Sequence, residues 1–380
     1  MKICLVAHYA YGMISGSLQG HAGGVERQTS LMARWLASRG HKVSLVTWDE
    51  GQDEIVIIDG VRIIKMCSVN AGIPGLRFFY PRWISLNKAL RKGNADLYYH
   101  NCAEYITGQI ALWCRLTRKK FVYSVANDME CEPSLPEMRT FRERLLYRYG
   151  LRKADKIIVQ TLKQQRMLME GFGLSSEVFP MPCQMAVSND YYPRQPLKRE
   201  NLRVLWVGRI DRPKRLEWLL EVARELPEVA FDVVGKPTYP DDPYSRQVFD
   251  QAKSLQNVVM HGMISHNQIS SMYARAFLLC CTSIYEGFPN TFIEAWSTGL
   301  PIVTTFDPDD IILSKQLGIY AKNTSELVKG INTLLQDYVL WQQISANARQ
   351  YYLERHTVDQ AMLRFEKLFE NTLTGISGKE

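Results

Sequence analysis

The chain lacks several features that would place it in a common protein class. No stretch approaches the roughly 18 uninterrupted apolar residues of a membrane-spanning helix. The eight cysteines are scattered, without C-x-x-C pairs or cysteine–histidine spacing, so free thiols in a reducing compartment are expected and a metal site is not. The N-terminus, Met1 and Lys2 before a short apolar run, is too short for a signal peptide and predicts a buried strand. These absences predict a cytoplasmic location.

Length and charge indicate the size and the surroundings of the protein. At 380 residues the chain exceeds what one core usually supports, so two domains are expected. Residues 1–193 carry 25 lysines and arginines against 17 acids, whereas residues 194–380 carry 21 against 22. The basic first half predicts contact with an anionic membrane surface or a phosphorylated acceptor, unless the excess serves solubility alone. Nucleic acid fits poorly, because the cations are dispersed and no recognition motif accompanies them.

Apolar runs and helical periodicity alternate along most of the chain, which predicts an α/β protein with parallel sheets covered by helices. Strands are predicted at 2–8, 43–48, 61–66, 96–100, 120–126 and 156–160, and then at 202–208, 229–234, 257–260, 277–282 and 301–305. Helices are predicted at 25–39, 82–92, 104–116, 137–153, 162–170 and 338–373. A proline-rich polar stretch at 179–201 reads as a linker between domains 1–193 and 194–357.

The segment from Ser283 to Val303 carries the strongest chemical signal. It places two carboxylates, Glu286 and Glu294, eight positions apart in a strand–loop–helix–strand pattern. Asn290 and Thr291 are predicted to cap the helix. Ligands of open parallel sheets bind beyond the strand ends, where helix N-termini present free amides. A loop carboxylate there can bind sugar hydroxyls, and Glu294 can take the hydroxyls of a ribose. The alternative is an ordinary helix with solvated acids.

Two cations follow the strand at 202–208. Arg209 comes directly after Gly208, and Lys214 stands five residues later, near the start of a helix. A guanidinium and an ammonium that converge at a strand end suit a diphosphate. If they do not converge, they are exposed loop cations. Arg212 and Arg215 are interpreted as solvated.

These motifs resemble those of retaining glycosyltransferases of family 4. The two glutamates match the E-x7-E signature together with the neighbouring Gly-Phe-Pro, Glu-Ala and Gly-Leu-Pro-Ile-Val. Arg209 and Lys214 match the diphosphate-binding pair of that family. The resemblance implies the GT-B fold, with two Rossmann-like doubly wound domains facing across a cleft, and a C-terminal helix, 358–380, that packs back on the first domain. It also implies a nucleotide-sugar donor, no cofactor and no required metal. Donor contacts are then expected from Arg209, Lys214, Glu286, Phe288, Pro289, Asn290, Thr291 and Glu294.

Gly23 and Gly24 lie between the first predicted strand and the following helix. Two glycines at a helix start let the backbone approach a phosphate, and the spacing is not the G-x-G-x-x-G of a dinucleotide site. They look like the first glycine loop of the family, which reaches across the cleft to the donor phosphate. Otherwise they form only a turn.

The residue expected to face the reacting carbon departs from the family pattern. Family members commonly place a histidine after a mid-domain strand, where this chain has Asn127 followed by Asp128. Asparagine bonds hydroxyls but does not titrate near neutrality. Asp128 is a candidate to orient the acceptor or take its proton, and His100 is a second acceptor-side candidate. Each of the three can equally be a structural polar group.

The predicted function is transfer of a hexose, with retention, from a UDP- or GDP-sugar to a glycan or lipid-linked acceptor in cell-surface polysaccharide biosynthesis. Glu286, Arg209, Lys214, Asp128 and Asn127 are the candidate catalytic residues. The basic helix at 137–153 predicts either peripheral contact with the inner face of an anionic membrane or a solvated basic face. Alternatives to transfer are another GT-B enzyme, such as a sugar-nucleotide epimerase, and a catalytically impaired partner that only binds nucleotide sugar.

Overall fold

The computed structural model describes residues 1–16, 23–184, 202–238 and 241–375. The chain divides into two compact units, Met1–Pro182 with Val358–Glu380, and Cys183–Thr357. The domain boundary predicted between residues 193 and 194 lies outside the described residues. Both units are α/β structures with a Rossmann-like layout, so the predicted fold class is confirmed.

The first unit is built on one sheet of eight strands. They are β1 Lys2–Val6, β2 Lys42–Thr47, β3 Ile55–Ile58, β4 Val61–Lys65, β5 Leu97–Asn101, β6 Lys120–Ser124, β7 Lys156–Val159 and β8 Glu177–Val178. Their order is β3-β4-β2-β1-β5-β6-β7-β8, and every neighbouring pair is parallel except β3 with β4. The central strands are continuous apolar runs because helices cover both faces of the sheet.

The helices of this unit connect the parallel strands. They are α1 Tyr11–Ser15, α2 Gly24–Ser38, α3 Ile84–Gly93, α4 Tyr105–Thr117, α5 Phe141–Lys153 and α6 Leu162–Phe172. An irregular helical segment, Phe78–Trp83, leads into α3. Capping boxes begin α4, through Glu104 and Thr107, and α5, through Thr140 and Glu143.

The second unit is built on a six-stranded, wholly parallel sheet. Its strands are β9 Arg203–Val207, β10 Ala230–Val234, β11 Val258–Gly262, β12 Leu278–Cys281, β13 Ile302–Thr304 and β14 Gly318–Tyr320, in the order β11-β10-β9-β12-β13-β14. Its helices are α7 Leu216–Glu225, α8 Pro243–Lys253, α9 His266–Arg275, α10 Asn290–Ser297, α11 Ile311–Ser314, α12 Thr324–Gln336 and α13 Tyr338–Arg355.

The last helix, α14 Val358–Thr374, packs within the first unit. The Trp35 indole nitrogen donates to Asp359 at 2.6 Å, and His41 Nε2 donates to Glu366 at 2.7 Å. The buried rings of Phe365 and Phe369 lie 6.3 and 5.9 Å from the ring of Tyr99. The helical segment predicted at 338–373 consists of two helices, since α13 ends at Arg355 and α14 begins at Val358 in the other unit.

Three observed strands, β3, β8 and β14, were not predicted from the sequence. β3 alternates exposed and half-buried residues at the sheet edge, β8 has two residues, and β14 has three half-buried residues. Short edge strands carry little of the hydrophobic run that identifies a buried strand. The eleven predicted strands all correspond to observed ones.

Strand order locates the functional edge of each sheet. In the second unit β9 lies between β10 and β12, so the chain leaves β9 and β12 toward opposite faces. In the first unit β1 holds the same place between β2 and β5. A crevice forms at such a switch point beyond the carboxyl ends of the strands, where open α/β sheets bind ligands.

Two further observations concern the helices and the cysteines. Within the described residues, none of the helices combines the length and the apolar character that a bilayer crossing requires. All eight cysteines fall in the described ranges as free thiols, and six of them are buried.

Candidate functional site

The second unit brings Lys214 and Glu286 into contact at its switch point. Lys214 Nζ forms an ion pair with Glu286 Oε1, and the Ser283 hydroxyl donates to the same oxygen at 2.7 Å. The two charged side chains are 20% and 17% exposed, so both remain reachable from solvent. The contact joins the segment of Arg209 and Lys214 to that of Glu286 and Glu294.

Hydrogen bonds join the two loops that carry this pair. Beyond β9 the chain makes a short 3₁₀ turn, Arg212–Lys214, and beyond β12 it enters the loop that contains Glu286. The Thr282 hydroxyl donates to the carbonyl of Lys214 at 2.6 Å, and the Ile284 amide donates to the carbonyl of Pro213 at 2.8 Å. The pair therefore rests on loops that are held together by their backbones.

Arg215 is a structural residue of this site, which corrects its interpretation as a solvated cation. Its guanidinium donates to the carbonyls of Thr282 and Ser283 at 2.7 and 3.2 Å, and to the Thr305 hydroxyl at 2.8 Å. It also lies 3.7 Å from the ring centroid of Trp218. One side chain thus joins the loops after β9, β12 and β13.

Arg209 is the exposed cation of the site. Its side chain is 72% exposed, and its Nε lies 3.5 Å from Asp211 Oδ2. The Asp211 carboxylate also accepts from the Thr238 hydroxyl at 3.3 Å. The weak pairing at the surface leaves the Arg209 fork accessible to an anion.

The helix that follows Glu286 begins differently from the prediction. Pro289 is the N-cap of α10, and no side chain forms a hydrogen bond to the cap, so the N-cap role predicted for Asn290 and Thr291 is wrong. These two residues are instead the first helical positions, where amides lack intrahelical acceptors. Glu294 lies one turn further on and is 5% exposed.

The half-buried Phe288 ring packs against two buried aromatic side chains. It lies 6.0 Å from the Trp296 ring in an edge-on arrangement and 5.2 Å from the His356 ring. The ring therefore holds the loop against α10.

The first unit places a cluster of polar side chains at its own switch point. His8 follows β1, His100 lies in β5, and Glu104 begins α4. His8 Nδ1 donates to Glu104 Oε2 at 3.2 Å, and the His8 ring stacks on Trp48 with centroids 4.5 Å apart. The two imidazole centroids are 6.5 Å apart. Sequence reasoning found His100 but missed His8, Trp48 and Glu104, although each of the three closely follows a buried strand.

Both imidazoles in this cluster carry a buried nitrogen with no hydrogen-bond partner among the described residues, the Nε2 atom in each case. His100 Nδ1 donates to the carbonyl of Val6 at 2.9 Å, so its Nε2 is the acceptor of a neutral ring. Burial lowers the pKa of His100 to about 4, which keeps the ring neutral at pH 7. A buried acceptor without a donor is costly and suits a ligand hydroxyl.

Asn127 and Asp128 are both engaged by protein groups. Asn127 Oδ1 accepts from the Glu130 amide at 3.2 Å, and its Nδ2 donates to Glu137 at 3.3 Å. The Asp128 oxygens accept from Lys163 at 2.7 Å and from Gln164 at 3.1 Å. These bonds favour the structural role for Asp128 among those that the sequence leaves open.

Gly23 and Gly24 begin α2. Gly23 is the N-cap in an extended conformation, and Gly24 is the first helical residue. A Cβ on Gly23 would lie 2.2 Å from Glu26 Oε2, so the absence of a side chain there lets the Glu26 carboxylate fold back over the helix start. In the described part of the chain, no group of three or more histidine, cysteine, aspartate or glutamate side chains is placed to hold a metal ion.

Comparison with known proteins identifies the family. Residues 22–183 match the profile of Glycosyltransferase Family 4, and residues 201–337 match that of Glycosyl transferases group 1. The chain belongs to the family 4 glycosyltransferases. The resemblance seen in the two motifs is therefore confirmed at the level of the family.

This glycosyltransferase is similar to several proteins at low identity. It is 27% identical over 165 residues to the GtfA subunit of the UDP-N-acetylglucosamine–peptide N-acetylglucosaminyltransferase of Streptococcus pneumoniae, covering 41% of the chain and 32%, about a third, of GtfA. It is 25% identical to an uncharacterised glycosyltransferase of Haemophilus influenzae, over 87% of the chain and 92% of that protein. The crystal structure of Anabaena Alr3699/HepE in complex with UDP and glucose has the same fold, with a TM-score of 0.77 and 18% identity over 97% of this chain and 99% of HepE.

Proposed function

We propose that this glycosyltransferase transfers a hexose, with retention of anomeric configuration, from a nucleoside diphosphate sugar to a glycan or lipid-linked acceptor. The observation that carries the proposal is the contact between Lys214 and Glu286 at the switch point of the second unit. The two side chains lie next to each other beyond the ends of two strands and are partly exposed. The cation can bind the diphosphate of a donor, and the acid can bind its sugar.

The second unit supplies the donor contacts in this proposal. Lys214 and the exposed fork of Arg209 bind the diphosphate, while Glu286 and the backbone of 288–291 hold the sugar hydroxyls. Glu294 takes the ribose. Fixed cations and helix amides stabilise the negative charge of the departing diphosphate, so no divalent metal is required. Glu286 is already oriented by Ser283, which lowers the cost of ordering it on binding.

The donor is expected to be a uridine nucleotide. GtfA is named for a UDP-sugar donor, and HepE binds UDP and glucose in its crystal structure. A uridine donor should therefore be tested before a guanosine donor, because UDP appears in the name of GtfA and in the crystal structure of HepE.

The first unit supplies the acceptor contacts. The unpartnered Nε2 atoms of His8 and His100 form hydrogen bonds with acceptor hydroxyls, and Asn127 and Asp128 hold the neighbouring turn in place. The neutral state of His100 suits it to positioning a hydroxyl rather than to removing its proton. The proposal includes a role in cell-surface polysaccharide biosynthesis, which the basic first half of the sequence supports.

Replacing either member of the pair is expected to abolish most of the transfer. Lys214→Ala removes the ammonium that neutralises the leaving diphosphate, and Glu286→Gln keeps the shape of the side chain but removes its charge. Each is expected to lower the rate of product formation from UDP-sugar by about 10²-fold or more. Lys214→Ala should also weaken UDP binding, measured by calorimetry.

Two exposed residues of the same unit serve as matched controls, Lys253→Ala on α8 and Glu221→Gln on α7. Both are expected to retain normal rates. If the Lys214–Glu286 pair only braces the two loops, its variants will lower the melting temperature while UDP affinity stays within a factor of about two. That outcome would remove the pair from the donor site.

Product analysis separates the proposal from its alternatives. Transfer yields a glycoside only when acceptor is present, whereas an epimerase releases free sugar and nucleotide without it. A binding partner that lacks catalysis would bind UDP-sugar without turnover, consistent with asparagine standing at position 127.

A further inference from the structure

A group of large apolar side chains is exposed on the first unit, on the segment between β4 and α3. Ile73, Leu76, Phe79 and Tyr80 are 69%, 64%, 57% and 68% exposed, and Ile84 at the start of α3 is 46% exposed. Isolated apolar residues are common on protein surfaces, but here five large exposed ones lie within twelve positions of the sequence. Phe78, between them, is buried and anchors the segment.

The N-terminus of α5 extends this surface. The Arg142 guanidinium lies 3.8 Å from the ring centroid of Phe78, so α5 directly contacts the segment. Phe141 and Leu145, one turn apart on the same face of α5, are 78% and 56% exposed. We call residues 73–84 together with Phe141 and Leu145 the apolar face.

The charge around the apolar face is mainly positive, although Lys92 forms an ion pair with Glu54. From residue 66 to residue 95 the sequence has five cations, Arg77, Arg82, Lys88, Arg91 and Lys92, and no acid. Lys88 and Arg91 are exposed on α3, and Arg139 is exposed just before α5. Arg142, Arg144, Arg148, Arg152 and Lys153 follow along α5, against the single acid Glu143.

We propose that the apolar face binds the surface of an anionic lipid bilayer. Exposed aromatic and aliphatic tips insert at the level of the headgroups, and the surrounding cations pair with anionic lipid phosphates. A protein partner would need acidic residues at defined positions opposite each exposed arginine and lysine. The lipids of a bilayer diffuse, so an anionic bilayer can pair with these cations wherever they lie. The inference concerns a surface outside the donor site and does not depend on the transfer reaction.

The position of the apolar face fits a lipid-linked acceptor. Phe78 contacts Tyr105 in an edge-on arrangement at 5.3 Å, and Tyr105 begins α4 next to Glu104 of the polar cluster. Arg82 lies 5.7 Å from the ring centroid of Trp48, which stacks on His8. The surface therefore adjoins the side chains proposed to hold the acceptor hydroxyls.

The test is co-sedimentation of the full chain with vesicles of phosphatidylcholine containing about one-third phosphatidylglycerol, and with vesicles of phosphatidylcholine alone. The wild-type protein is expected to bind the anionic vesicles, and to lose binding as sodium chloride is raised. The triple variant Leu76→Ser, Phe79→Ser, Phe141→Ser should lower the partition coefficient by about tenfold or more. The charge variant Lys88→Gln, Arg91→Gln, Arg139→Gln should also lower it.

A matched control replaces three exposed apolar residues elsewhere, Leu116→Ser, Leu313→Ser and Val339→Ser, and is expected to bind as wild type. Unchanged hydrogen exchange in peptides from residues 1–182, outside the mutated segments, shows that the first unit of the apolar variant is folded. No binding to anionic vesicles, or binding that both variants leave intact, would overturn the proposal. So would a dimer in light scattering that only the apolar variant dissociates, because a second copy would then cover the face.

Discussion

Glu130 shows what burial does to one carboxyl. It lies in the turn after β6 and is 2% exposed. The Tyr123 hydroxyl donates to its Oε2 at 2.5 Å, and the Ala126 amide donates to its Oε1 at 3.1 Å. Burial raises the pKa of Glu130 from 4.5 to about 8, because these hydrogen bonds do not replace the lost hydration of the charged form. No pattern in the sequence marks this acid as buried.

The raised pKa predicts a pH-dependent stability. The folded state binds the Glu130 proton more tightly than the unfolded state, so this contribution is complete below pH 4.5 and is lost as the pH rises toward 8. Glu130→Gln mimics the protonated form. We expect its free energy of unfolding, relative to wild type, to rise by a few kcal/mol between pH 5 and pH 8, measured by thermal denaturation.

Exposed Glu170 on α6 provides the comparison, since Glu170→Gln should follow the wild-type pH profile throughout. Parallel profiles for wild type and Glu130→Gln would show that the buried carboxyl is charged in the folded protein.

At the scale of elements, α4 and α5 pack through two glycines. A Cβ on Gly108 would lie 2.2 Å from the carbonyl oxygen of Leu146, and a Cβ on Gly150 would lie 2.8 Å from the carbonyl carbon of Thr107. Each glycine faces the backbone of the other helix, which cannot yield as a flexible side chain would. Glu104 precedes the first residue of α4, and Phe141 is the first residue of α5.

Gly108→Ala tests this contact. Alanine gains about 1 kcal/mol of helix propensity, but the clash with backbone is expected to outweigh it and destabilise the first unit by about 1–3 kcal/mol. Hydrogen exchange in peptides covering 105–153 should accelerate. Leu116→Ala, at an exposed position of α4, should change stability by less than about 0.5 kcal/mol. A neutral or stabilising Gly108→Ala would mean that the helices separate easily.

At the scale of the whole molecule, the first unit is assembled from both ends of the chain. Phe365 on α14 is fully buried, with its ring 5.1 Å from Phe179 and 6.3 Å from Tyr99. Residues that are separated by nearly 200 positions or more thus share one core. The core of the second unit is formed within Cys183–Thr357.

Phe365→Ala is expected to destabilise the first unit by about 3–5 kcal/mol through the cavity that it leaves. Hydrogen exchange should accelerate in peptides from residues 1–182, although the substitution lies at the far end of the sequence. Leu363→Ala, at a position of α14 that is 45% exposed, is the control and should have a small effect. Accelerated exchange confined to residues 183–357 would contradict the assignment of α14.

The sequence by itself determined the α/β class, the positions of the main strands along the chain and the family. Buried parallel strands are continuous apolar runs, and strand-end motifs such as Arg209 with Lys214 and Glu286 with Glu294 are local in the chain. The N-cap of α10 could not be assigned from the sequence, because both Pro289 and Asn290 are residue types that commonly occur at the start of a helix.

Only the tertiary structure decided which of those motifs meet and which polar groups are buried. The contact between Lys214 and Glu286 joins residues 72 positions apart, and Arg215 became a structural residue only when three loops converged on it. His8, Glu104 and Glu130 were not recognised because burial and pairing across a sheet leave no local pattern. The physical reason is that strand order, which brings β9 beside β12 and β1 beside β5, is set by packing over the whole unit.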